Sequence, residues 1–209
     1  LAELVARLRA AELVAVDTET TSADPMRAEL VGMSFAVEDD RAAYLPFGHR
    51  YIGVPEQLPA DLVLRELKPI LEDPAVRKVG QNIKYDMLVL ARHGIGLAGV
   101  VFDTMVASYL IDPSKRAHNL DQIALDFLDH RCIPFEEVVG RRRGVETFAE
   151  ASLEQAGPYA CEDADVTRLA HRVLAQRIED LGLRELMDSV ELPLVPVLMR
   201  MEMRGVAVD

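Results

Sequence analysis

The stretch Leu13-Val14-Ala15-Val16-Asp17-Thr18-Glu19-Thr20 constrains this chain more than any other. Its first four residues are β-prone and carry no polar side chain, the pattern of a strand buried on both faces. Asp17 and Glu19 then stand two residues apart. In extended chain that spacing puts both carboxylates on one face at the strand's end. Two acids at the edge of a buried strand repel each other and lose hydration, so they call for a compensating charge, which a hard divalent cation would supply. A solvated acid pair where strand meets turn fits the same residues. Whether other acids converge on the pair decides between the two.

Around this strand the pattern predicts a mixed α/β sheet of about five strands flanked by helices. Apolar residues at 1, 4, 5 and 8 give a short leading helix. Glu29–Val37 and Ala42–Phe47 read as strands joined by the turn Asp39-Asp40-Arg41, an antiparallel meander with the first strand. Helical spacing over Asp61–Leu71 leads to a short strand, Val76–Gly80. A helix follows over Ile83–His93, then a brief strand over Val100–Phe102 with Asp103 placed to cap the next helix. Asn119–Leu128 reads as a helix and His130–Thr147 as irregular, with Arg141-Arg142-Arg143 inside it. Ser152 with Gln155 has capping-box spacing. A long helix is expected from about Pro158 to Asp180 with Gly182 as its stop, and a last one, interrupted by Pro193 and Pro196, over Leu183–Arg204.

Charge and cysteine content bear on what such a sheet could bind. Twenty-three basic against 35 acidic residues leave a net charge of −12, which argues against phosphate neutralisation as a source of nucleic-acid affinity. That argument weakens where acids hold metal ions, because a bound cation reverses the local field. The two cysteines, Cys132 and Cys161, are too few for a disulfide framework and fit a reducing cytoplasm. Neither lies in a C-x-x-C pattern, which argues against a thiolate metal site. No apolar run approaches the roughly 18 residues of a membrane span, and the chain opens on Leu1 without a signal peptide. It reads as a piece of a longer, cytoplasmic protein.

Two further acid groups accompany the first pair. Asp86, in Gln81-Asn82-Ile83-Lys84-Tyr85-Asp86, falls in the first turn or so of a helix, where an aspartate also complements the helix dipole. Tyr159 and Asp163 sit at i and i+4 and share a helix face. Asp165 is turned about 200° from Asp163 and points elsewhere. A solvated face accounts equally for this group taken alone.

Together, Asp17-x-Glu19, Asn82-x-x-x-Asp86 and Tyr159-x-x-x-Asp163 resemble the three motifs of the DEDDy class of 3′→5′ exonucleases, which has a ribonuclease-H-like fold. The resemblance is to the proofreading exonuclease domain of bacterial DNA polymerase I, a family A polymerase. It extends through Leu30–Phe35, Lys78–Asn82, Phe102–Met105 and Glu191–Leu198, and so covers essentially the whole chain. It implies an exonuclease domain over 1–183 and the start of a polymerase domain over 184–209. It also implies two divalent ions about 4 Å apart, Mg²⁺ with Mn²⁺ or Zn²⁺ as alternatives, for phosphodiester hydrolysis. Asp17, Glu19 and Asp163 would hold the ion that activates the attacking water, Asp17 would bridge, and Asp86 would hold the second ion. Tyr159, with an ordinary pKa of about 10, would orient the water as a hydrogen-bond donor.

The implied partner is a single-stranded or frayed DNA 3′ end, bound by a monomer alongside its own polymerase domain. By the same resemblance Phe135 would stack on that strand; an ordinary core phenylalanine fits it as well. Gln81, Asn82, Lys84 and Tyr85 would line the cleft, with Lys84 equally readable as a surface lysine. The Arg141–Arg143 run suits either phosphate contact or a solvated loop. Two departures touch strand separation and affinity: a family leucine wedge aligns with Ala23, and a family arginine with Ala117, next to Arg116. Three rivals remain. An RNA-trimming enzyme resembling ribonuclease D would share the acids and tyrosine, but not 191–209. A catalytically decayed polymerase scaffold should have lost acids, and all four are present. A plain DNA-binding module is opposed by the net charge.

Overall fold

The structure, a computed structural model, describes residues 1–139 and 147–207; the Arg141–Arg143 run lies outside them. Five strands form one sheet in the order β3-β2-β1-β4-β5. They are β1 (Val14–Thr20), β2 (Leu30–Glu38), β3 (Arg41–Pro46), β4 (Lys78–Gly80) and β5 (Val100–Asp103). β2 and β3 run antiparallel on one side of β1, and β4 and β5 run parallel on the other. The mixed sheet expected from the sequence is therefore present, with the acid-tipped strand at its centre. The chain leaves β1 toward β2 and leaves β4 toward β5. The adjacent C-terminal ends of β1 and β4 thus open a crevice of the kind in which α/β sheets bind ligands.

Alternation along β1 divides the core. Val14 and Val16 face α1 (Ala2–Ala10), α2 (Ala60–Leu71) and α3 (Ile83–Arg92), packing with Leu8, Val63, Leu67 and Leu90. Ala15 faces the other way, with Val79 and Phe102, onto α4 (Thr104–Ile111), α5 (Leu120–Leu128) and α7 (Leu153–Asp180). Ala156, Ala160 and Ala164 recur every four residues on α7 and are fully buried. With only methyl groups there, the helix can lie close to β1 and β2. Asp103 caps α4 as expected, accepting from the N–H groups of Met105 and Val106. It also accepts from Asn82 and Ile83, so one buried carboxylate secures the N-termini of both α3 and α4.

Three local expectations are corrected. The irregular segment after His130 contains a short helix, α6 (Phe135–Val139), which forms because Val138 and Val139 bury against Val31, Phe148 and Ala156. That cluster also carries α7 back to Leu153, leaving Pro158 inside the helix, where it forfeits one i−4 hydrogen bond. Ser152 and Gln155 do not form a capping box: Ser152 Oγ meets Gln155 Oε1 at 3.4 Å and no backbone N–H. Beyond Gly182 (φ +66°) come α8 (Arg184–Leu186), a wide π-type turn over Met187–Glu191 and α9 (Leu192–Arg204). Pro193 falls in the first turn of α9, where a missing N–H costs little. No helix among the described residues is long and apolar enough to cross a membrane.

Candidate active site

Asp17 and Glu19 project from the end of β1 toward α7, where Asp163 stands one turn beyond Tyr159. Asp17, Glu19 and Asp163 each offer a carboxylate oxygen within 4.8 Å of the others. Asp86 arrives from α3 on the opposite face, where the hydroxyl of Thr18 donates to its Oδ1 at 2.6 Å. Asp86 lies outside the triad but near enough for the Asp17 charge to act on it. Asp165 turns away, as its spacing implied, and accepts from the backbone N–H of Asp40.

All four acids have raised pKa values, with loss of hydration as the first cause in each. Asp17 is pushed up to about 7. Glu19 rises well above the usual range, with Asp17, Asp163 and Asp86 adding repulsion. Asp86 and Asp163 rise through burial and then the charge of Asp17. None of the four forms an ion pair with a described lysine or arginine. Glu19 is 6% exposed, and its Oε1 has no hydrogen-bond partner. A buried carboxylate oxygen without a partner, beside two others, is costly unless a cation satisfies it. The donor set, all carboxylate oxygen, suits a hard divalent ion.

Two tyrosines border the cluster. The Tyr159 phenol is held protonated by burial and by the charges of Asp163, Glu19 and Asp17, and it hydrogen-bonds Asp163. Tyr44, on β3, has its pKa raised by burial, then by Glu19 and Asp17. His49 Nδ1–H donates to the Ala151 carbonyl at 3.0 Å, which leaves Nε2 to accept from the Tyr44 hydroxyl at 2.7 Å. The sequence reading missed Tyr44. The signal available was Gly32, which pairs with Glu19 across β1 and β2. A Cβ at Gly32 would lie 2.3 Å from the Tyr44 hydroxyl oxygen, so only glycine leaves room for the ring.

The sequence-proposed DNA contacts divide. Phe135 is not a core residue: it is 49% exposed, stacks on Phe148 at 6.3 Å and meets Tyr159 edge-on at 6.0 Å. Asn82 takes a left-handed conformation (φ 53°) in the β4–α3 turn, tolerable for asparagine. It shares a 600 Å³ groove with Gln81, Tyr109, His118 and Asn119. Gln81 is tied down by the His118 carbonyl and the Thr104 hydroxyl. Tyr85 reaches back to Thr20 and to the Ser22 carbonyl, pinning α3 to the end of β1. Lys84 is ion-paired with Glu202 of α9, so its charge is largely satisfied within the chain.

A mixed sheet of this order, with an unpaired carboxylate cluster at the end of its central strand, is the arrangement that the sequence resemblance implied. A family model described as 3′-5′ exonuclease matches residues 1–179, and the chain belongs to that family, in the form found in DNA polymerase I. DNA polymerase I of Pseudomonas aeruginosa is 50% identical over 206 residues, covering 97% of this chain and 23% of that protein. DNA polymerase I of Rhizobium leguminosarum is 43% identical, covering 98% of this chain and 22% of that protein. The chain thus spans under a quarter of the length of these relatives. Among solved structures, Brucella melitensis NrnC shares the fold with a TM-score of 0.69 at 23% identity, covering 93% of this chain and 86% of that one.

Proposed function

We propose that this 3′-5′ exonuclease domain removes single 3′-terminal nucleotides from single-stranded or frayed DNA, proofreading for a polymerase in the same chain. The observation that carries this reading is the triad of Asp17, Glu19 and Asp163, in which Glu19 has a buried oxygen without a hydrogen-bond partner. These three would hold one divalent ion, and Asp86, with Asp17 bridging, a second; Mg²⁺ fits the all-oxygen donors. When bound, such a pair activates water and stabilises the leaving 3′ oxygen. Tyr159, kept neutral and hydrogen-bonded to Asp163, would place its hydroxyl oxygen to orient the attacking water beside that carboxylate. The exposed face of Phe135 supplies a stacking platform for an unpaired base beside Tyr159. Sequence-independent stacking suits a substrate whose terminal base is arbitrary.

Residues 184–209 would begin the polymerase domain. Leu194, Val197, Leu198 and Met201 of α9 are exposed apolar side chains, and the DNA polymerase I relatives are several times longer than this chain. The identity of those relatives, at 43–50%, favours DNA over the RNA-trimming alternative. Retention of all four acids favours activity over a decayed scaffold. A 5′-labelled oligonucleotide incubated with Mg²⁺ tests the reading. A ladder of products shortened one nucleotide at a time is expected, and it should vanish on chelation and in Asp17→Ala. Absence of the ladder, or equal cutting by the variant, would overturn it.

A further inference from the structure

A second group of side chains of metal-ligating type includes Glu162, the residue before Asp163. His130, Cys132 and Glu162 present ligand atoms within 4.8 Å of one another. His130 Nε2 meets Glu162 Oε1 at 2.9 Å, and the other Glu162 oxygen accepts from the Ile133 N–H at 2.5 Å. Asp121 of α5 hydrogen-bonds the Cys132 side chain. Four donors of three kinds, nitrogen, sulfur and two carboxylates, thus come from α5, the 129–134 loop and α7. None of the four belongs to the cluster formed by Asp17, Glu19 and Asp163.

The two cation preferences differ in kind. The exonuclease triad offers only hard oxygen, whereas imidazole plus thiolate suits Zn²⁺, commonly held by four such ligands in structural sites. We infer that His130, Cys132, Glu162 and Asp121 form a Zn²⁺-class site that staples the 129–134 loop and α5 to α7, one residue from Asp163. The absence of a C-x-x-C pattern is no obstacle, because only His130 and Cys132 are close in sequence; the other donors are helix residues 9 and 32 positions from His130. On extended loop backbone, residues two apart point to the same side. Acidic neighbours surround the thiol and no lysine or arginine among the described residues pairs with Glu162, so an added cation meets favourable charge. Access is open: the His130 side chain is 45% exposed, and with Glu162 it lines a surface cleft of about 510 Å³. On binding, the thiol gives up its proton to solvent and the thiolate becomes the ligand.

The loop so fixed leads through Pro134 directly into Phe135, so the staple would set the height of the aromatic platform beside Tyr159. The site is testable without any nuclease readout. Co²⁺ titrated into the whole protein should bind with one equivalent giving an intense thiolate-to-cobalt absorption band, which stoichiometric Zn²⁺ then abolishes. Cys132→Ser should remove the band, and His130→Gln should weaken Zn²⁺ binding at least ~100-fold. Cys161→Ser and Asp17→Ala should keep it, since neither supplies a ligand. Far-UV circular dichroism identifies any variant that fails to fold, and Cys132→Ala then replaces Cys132→Ser. A folded wild type with no such band, or a band that survives loss of Cys132 or disappears with Cys161, would overturn the inference.

Discussion

Replacing Asp17 by asparagine is expected to move stability in opposite directions with and without metal. In the metal-free protein the Asp17 carboxyl is pushed up to about 7 by lost hydration. An acid whose folded pKa lies above its unfolded value binds extra protons when folded. Its cost to stability is absent below about pH 4, grows as pH rises and is complete above pH 7. A rise of that size corresponds to about 4 kcal/mol; solvent at the cleft mouth reduces it, so a gain of roughly 2–4 kcal/mol is expected for Asp17→Asn at pH 8. For a chain of this length that is a Tm increase of roughly 5–12 °C without metal. With Mg²⁺ at a hundred times its Kd, the wild type gains about 2.7 kcal/mol by linkage. The variant, lacking the proposed bridging ligand, should gain little. Thermal melts with chelator and with metal, at pH 4 and pH 8, measure all of this. A metal-free variant less stable than wild type at pH 8, or an undiminished metal shift in the variant, would refute the reasoning.

Other predictions follow from neighbouring residues. Phe135→Ala should raise KM for a single-stranded oligonucleotide by roughly 5- to 100-fold, the worth of one stacked base, with little change in kcat. Tyr159→Phe keeps the ring packed but removes the donor, so steady-state kinetics should show kcat falling roughly 10²-fold with Tm nearly unchanged. His171 is pushed down to about 4 by burial, then by Arg77, Arg168 and Arg184, and its ring meets Phe102 edge-on. A base with a lowered folded pKa binds its proton first in the unfolded chain, so it lowers stability as pH falls from about 6.5 to 4. Urea melts of His171→Gln across that range should show a flatter acid limb; an unchanged limb would contradict the assignment.

The central strand and its acids were legible because they are local: an apolar run, a spacing of two and an aspartate one turn into a helix fix direction without knowledge of the fold. Asp103 as a cap was legible for the same reason, although its second role, closing the turn before α3, depends on β4 and β5 lying side by side. What stayed hidden depends on distant pairings. Tyr44 comes near enough to feel the Glu19 charge only because β3 packs against β2 and Gly32 leaves space. Lys84 meets Glu202 across 118 residues, so nothing near Lys84 announces the ion pair. The start of α7 was misplaced because Pro158 mimics a first helical residue, while the force that extends the helix is burial of Ala156 in a separate cluster. The grouping of His130 and Cys132 with Glu162 likewise exists only once α7 lies beside the loop.

The proposed chemistry requires Asp17, Glu19 and Asp163 to hold a metal ion where β1 meets α7. Anomalous diffraction from crystals soaked in Mn²⁺ tests this directly. A peak is expected within coordinating distance of one carboxylate oxygen from each of the three residues, with the formerly unpartnered Glu19 oxygen among them. Ordered carboxylates with no manganese between them, at a concentration that supports cleavage in solution, would contradict it.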